Sequence, residues 1–150
     1  MALVQILVFS IQIGLIQVNV AGPSLTRPAL IAVFLSYLPL ILKFDLYKAV
    51  FLGSISTILG TILNNYVIAQ NNGFMPVYPT LSHVLGHYQR DPVVFADGLH
   101  ILADQSTKCF FLCDYIDLGY MILSPGDILI HSFGGFVLYF ALKKIYSDDS

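Results

Sequence analysis

Apolar residues in this chain run in long blocks, and charges interrupt them only at their edges. A helix crossing about 30 Å of hydrocarbon needs about 20 mainly apolar residues, and four blocks approach that length. The first covers residues 2–20, carries no charge, and stops at Gly22-Pro23. The second covers residues 28–44, between Arg27 and Lys43. Pro39 lies inside it, and its missing backbone donor predicts a kink. The third, residues 49–70, is again uncharged, and the fourth, residues 128–145, stops at Lys143 and Lys144. The pattern predicts an all-α polytopic membrane protein with four transmembrane helices in one domain. A long outer segment, residues 71–127, would join helices three and four, partly helical and lying at the membrane surface.

Two other readings of the blocks are weaker. A cleaved signal peptide carries a positive n-region, and no Lys or Arg precedes Arg27. Residues 109–123 are apolar but broken by Asp114 and Asp117. Two carboxylates near mid-bilayer are expensive, so this stretch reads as interfacial or partly re-entrant, not as a fifth crossing.

Lipid tails give helices no hydrophobic reason to associate, so small residues and interhelical hydrogen bonds must do it. In the third span Gly53, Ser56, Thr57, Gly60, Thr61 and Asn64 follow helical spacing and form one small, polar face. In the first span Gln5, Gln12 and Asn19 recur every seventh residue and line one stripe. The two faces are expected to meet each other or another protein. A polar solute path between the helices is the rival reading, but pathways usually carry buried ionisable groups, and spans one to three have none.

Composition agrees with a lipid-solvated chain. Of 150 residues 57% are hydrophobic and 11% charged, with a mean hydropathy of +0.78, whereas a soluble domain carries about a quarter charged residues. A net charge of −2 excludes a nucleic-acid binder, which needs a basic face. Disorder is excluded by hydrophobicity, and a disulfide-rich module by the presence of two cysteines. Sidedness follows the lysines: Lys43, Lys48, Lys143 and Lys144 share one side, against Arg27 near a span end and Arg90 and Lys108 deep in the loop. Positive charge favours the cytoplasm, which places both termini there and the long loop outside.

The ends of the loop carry helix punctuation. After the third span comes Asn71-Asn72-Gly73-Phe74-Met75-Pro76-Val77, where Gly73 suits a left-handed position past a helix end and Pro76 prevents the helix resuming. Before the fourth comes Ser124-Pro125-Gly126-Asp127: an N-cap, a first-turn proline and an acid three positions on, close to a capping box. These same residues, with Leu35-Ser36-Tyr37, Gly60-x3-Asn64 and His100-x6-Thr107-x4-Leu112-x-Asp114 between them, resemble an uncharacterised family of bacterial membrane proteins, domain of unknown function 5317. Asn72 and Phe74 around the glycine, Cys113 before Asp114 and His131 in span four are this chain's departures from that pattern. The resemblance implies a multi-span protein of the bacterial inner membrane and brings no activity, substrate or cofactor with it.

Candidate chemistry is sparse. His83 and His87 are four apart, and on a helix both would face one way, as zinc ligands do; His100, Asp91 or Asp104 could supply a third ligand. His131, with Gly135 one turn on, could offer an axial imidazole beside a flat surface to haem or a (bacterio)chlorophyll. The plain alternative is an imidazole bonded locally near the interface, and no cofactor is expected outright. Cys109 and Cys113 could bridge, although the geometry is demanding; two buried thiols are the default. Ser82-His83 with Asp97 shows no nucleophile elbow, and no phosphate-binding or dinucleotide motif occurs. Asp114 and Asp117 are expected to anchor their segment, with His100 or Lys108 as partners for pairing. The expectation is a non-enzymatic accessory subunit packed against other subunits of a larger membrane complex, respiratory or photosynthetic. A cofactor- or metal-binding protein is the second reading and a small transporter or membrane enzyme the third.

Overall fold

In a computed structural model, the structure describes residues 31–86 and 98–148. The first span, with Gln5, Gln12 and Asn19, lies outside the described residues, as does His87. Among the described residues two helices are long and apolar enough to cross a membrane. These are α2 (Tyr47–Gln70) and α4 (Pro125–Asp148). Four transmembrane helices are therefore the sequence expectation, and two span-length helices are what the described chain contains. Among the described residues the second block is helical over Ile31–Phe44, and it is interrupted at Tyr37 before α1 (Leu38–Phe44) resumes. Pro39 sits in the first turn of α1, where a missing N–H leaves no helical bond broken. The ladder instead tightens around Tyr37, whose carbonyl accepts from both Leu40 N and Ile41 N, each at 3.0 Å.

α2 and α4 run antiparallel with their small residues in register. A Cβ built on Gly53 would stand 2.6 Å from the Phe133 ring, and one on Gly60 would collide with the Gly126 carbonyl. Ser56 Oγ lies 2.7 Å from Ser132 Oγ and donates to Leu129 O at 3.0 Å when free to do so. Small residues thus let the backbones close and let hydroxyls bond across the seam, which is how apolar helices adhere. The sequence reading pairs this face with span one or another protein; the helix that covers Gly53, Ser56, Gly60 and Asn64 is α4, 63 to 80 residues downstream. Thr61 is not part of the seam: it is exposed and donates back to Thr57 O at 2.8 Å. The Thr57 hydroxyl is buried with no hydrogen-bond partner among the described residues.

Two small cores fasten the ends of this pair. At one end Ile41, Leu46, Ala49, Phe133, Val137 and Ala141 cluster, and Phe34 meets Phe133 edge-to-face at 4.8 Å. There α1 ends at Asp45 in the left-handed region (φ 48°), and Lys144 Nζ donates to Phe44 O at 2.7 Å. At the other end Val67, Met75 and Cys113 form the second core.

The described part of the outer segment combines short helical turns with short strands that its sequence does not announce. Besides α3 (Leu81–Val84) and a 3-10 turn at Phe110–Leu112 it forms four short strands. β1 (Met75–Val77) pairs in parallel with β2 (His100–Leu102), and β3 (Ile116–Asp117) pairs antiparallel with β4 (Ile122–Leu123). Pro76 is fully buried inside β1. Successive strand residues face opposite neighbours, so Met75 and Val77 bond toward β2 while Pro76 O accepts from Asp114 N at 3.1 Å. The proline's missing donor therefore removes nothing from the β1–β2 ladder.

Candidate functional site

The densest polar cluster sits where α2, α4 and the outer segment meet. α4 begins with a reciprocal cap: Asp127 N donates to Ser124 Oγ at 2.9 Å, and Ser124 N donates to Asp127 Oδ2 at 2.9 Å. That is the capping-box pattern, satisfying two helix-end donors at once, and the carboxylate also meets the positive end of the helix dipole. Asn64 of α2 joins it, donating from Nδ2 to Asp127 Oδ1 at 2.8 Å. The Ser124 hydroxyl lies 2.9 Å from Asn64 Oδ1 and 2.8 Å from Asp127 Oδ2, so its single proton serves either. Gly126 is obligatory beside them, because a Cβ there would strike the Asn64 amide. Gly60, Asn64, Ser124, Gly126 and Asp127 thus act as one joint.

The end of α2 is a second joint. Asn72 and Gly73 both take positive φ (57° and 89°), and Gly73 N reaches back to Ile68 O at 2.9 Å, the usual way of closing a helix C-terminus. Buried Asn71 donates to Val67 O and Lys108 O and accepts from Lys108 N at 2.9 Å. One amide side chain therefore mimics a strand partner for the loop 37 residues away. Nothing in the local sequence marks Asn71 for this role.

Asp117 makes a third joint. Its Oδ2 accepts from Thr80 N at 2.7 Å, Ser82 N at 2.9 Å and Ser82 Oγ at 2.7 Å, while Oδ1 accepts from Gly119 N at 2.8 Å. Burial raises the carboxyl, but the Ser82 hydroxyl and the Ser82, Gly119 and Thr80 amides outweigh it and hold it down to about 2. A carboxyl lowered on folding stabilises above its unfolded value near 4, and that contribution is lost as pH falls toward 2. Asp117→Asn should lower stability by about 1 kcal/mol at neutral pH. The deficit should shrink as unfolding is followed from pH 5 to pH 2.5; a deficit unchanged across that range would refute the assignment.

Asp114 is buried and lies 3.4 Å from His100 Nε2. Its backbone bridges Val77, with Tyr78 N donating to Asp114 O at 2.7 Å. Cys109 and Cys113 are both free. Cys109 is left-handed (φ 55°) and precedes the 3-10 turn, so the two thiols do not share a helix face. Burial, with Asp114 and Cys109 adding to it, pushes the Cys113 thiol up to about 11, the mark of an inert structural thiol.

The proposed zinc face is not built as a helix. α3, which carries His83, ends at Val84, and Gly86 at φ 76° does not continue it; His87 lies outside the described residues. Among the described residues no group of three or more His, Cys or Asp side chains could hold a metal ion. Asp104 is occupied in its own turn, accepting from Ser106 N and Ser106 Oγ at 2.8 and 2.6 Å. The Ser82 hydroxyl is likewise committed to Asp117. His131 is exposed on α4, and Gly135 beside it faces open space, with nothing within 4 Å of a built Cβ.

What these joints have in common is that they hold backbone to backbone, with carboxylates saturated by amides and hydroxyls. Among the residues in these joints, Gly60, Asn64, Gly73, Ser124, Gly126 and Asp127 are those whose spacing resembles one family. The model of that family, described as a family of unknown function (DUF5317), matches residues 1–140. The chain belongs to DUF5317. No curated protein and no solved structure matches it. In this DUF5317 member the motif residues Gly60, Asn64, Ser124, Gly126 and Asp127 are positioning residues, joining two span-length helices to the segment between them.

Proposed function

We propose that the chain is a non-enzymatic accessory subunit of the bacterial inner membrane, packed against a larger complex of respiratory or photosynthetic type. The observation that carries this reading is His131. It is exposed on α4, one and a half turns inside an apolar helix, on a side that α2 does not cover. An imidazole turned toward hydrocarbon leaves polar nitrogens unsatisfied, and a neighbouring subunit removes that penalty. Among the described residues 22% of either span window is buried, which leaves a large apolar surface for such a neighbour or for lipid. The lysine-rich turn at Phe44–Asp45 and Lys144 would lie on the cytoplasmic side.

A photo-crosslinking residue at position 131, in the native membrane, tests this. The expected outcome is one defined adduct with another membrane polypeptide and co-migration in a larger assembly after mild solubilisation. A monodisperse monomer with adducts only to lipid would overturn it.

The second reading places a haem or chlorophyll against His131, favoured by the open surface over Gly135. A visible absorbance band in the purified protein, abolished in His131→Ala, distinguishes it from the accessory role, which predicts no colour.

A further inference from the structure

At the lysine-rich end, Tyr47, Lys48, Phe51, Leu52 and Phe140 line a cleft of about 400 Å³ between α2 and α4. That volume lies within the range of small-molecule sites. Its walls are aromatic and aliphatic, and Lys48 supplies the only charge among them. The mouth is basic. Lys144 holds the α1–α2 turn, donating to Phe44 O and standing 3.8 Å from Asp45, so Lys43, Lys48, Lys143 and Lys144 gather at this end. Among the residues whose side chains are described, Asp45 is the acid at this end. Lys48 and Lys143 are exposed.

An apolar cleft opening at a basic helix end matches one class of molecule in both parts. We infer that the cleft binds an anionic phospholipid, its acyl chain against Phe51, Leu52 and Phe140 and its phosphate at Lys48. The inference rests on the membrane reading above. Zwitterionic lipid offers the same tail but no net charge for the lysines, and each lysine near an anionic surface favours it by about fivefold.

The chain contains no tryptophan, so Phe51→Trp in the full-length protein gives a single reporter in the cleft. Ile62→Trp, exposed two turns from the other end of α2, serves as its control. The proteins are placed in bilayers of phosphatidylglycerol and phosphatidylcholine with one or the other brominated, and tryptophan quenching is read. The expected result is about a fivefold preference for the anionic lipid at position 51, a preference near one at position 62, and at least a twofold reduction at position 51 when Lys48→Gln is added. Phe140→Trp replaces Phe51→Trp if the latter does not fold. Equal quenching by both lipids at position 51, or a preference untouched by Lys48→Gln, overturns the inference. Quenching at position 62 but not at 51 also overturns it, since protein, such as residues 1–30, would then fill the cleft. Absence of quenching at both positions fails the membrane reading itself and takes the inference with it.

Discussion

Gly126→Val should unfold the helix pair at a markedly lower temperature, with a loss of about 3 kcal/mol. A Cβ on Gly126 would stand 2.7 Å from both Asn64 Cγ and the Gly60 carbonyl oxygen. One of these is backbone and cannot rotate away, so α2 and α4 must separate. Separation also breaks the bonds that tie Asn64 to Asp127 and to Ser124. Gly135→Val is the control on the same helix, because open space surrounds that position; it should shift stability by less than about 0.5 kcal/mol. Thermal unfolding followed by circular dichroism in one detergent compares them. Similar effects at the two glycines would show that helix propensity, not close approach, determines the outcome.

The second large effect is expected at Asp127. Asp127→Ala removes the acid half of the α4 cap and the acceptor for Asn64 Nδ2 together. A lost cap costs about 1 kcal/mol, and a stranded, half-buried amide adds about 1 to 2 kcal/mol, giving a loss of about 2 to 3 kcal/mol. Asn64→Ala alone should be milder. In the double variant the two losses should fall short of their sum by about 1 kcal/mol, since one bond is counted in both. Strict additivity would mean that Asn64 and Asp127 do not interact in the folded protein.

The two long helices and their punctuation were legible because their signals are local. Block length marks α2 and α4, Gly73 marks where α2 stops, and Ser124 with Asp127 marks where α4 starts. The small face of α2 was legible as a face, but its partner was not. Spacing says that Gly53, Ser56 and Gly60 lie together, and only the chain's return places Phe133, Ser132 and Gly126 opposite them. The short strands of the outer segment were not legible for a related reason. Strands of two or three residues are too short to show alternation, and β1 pairs with a strand 25 positions away. Asp117, whose surroundings read as an apolar surface run, acts on Thr80 and Ser82, 37 and 35 residues earlier. Asn71 reaches 37 residues forward in the same way. Cys109 and Cys113 share no helix face because a left-handed residue precedes the turn between them. The zinc spacing of His83 and His87 required a helix that Gly86 does not continue.

The seam between Ser56 and Ser132 has a temporal side. Its halves are 76 positions apart, and ribosomes add about 5 to 20 residues per second. Some 4 to 15 seconds therefore elapse, by that rate, between emergence of the first serine and arrival of the second. During this interval the hydroxyl face of α2 is a nascent surface awaiting its mate. A chaperone or insertase that shelters small, polar helix faces during synthesis would find its client there.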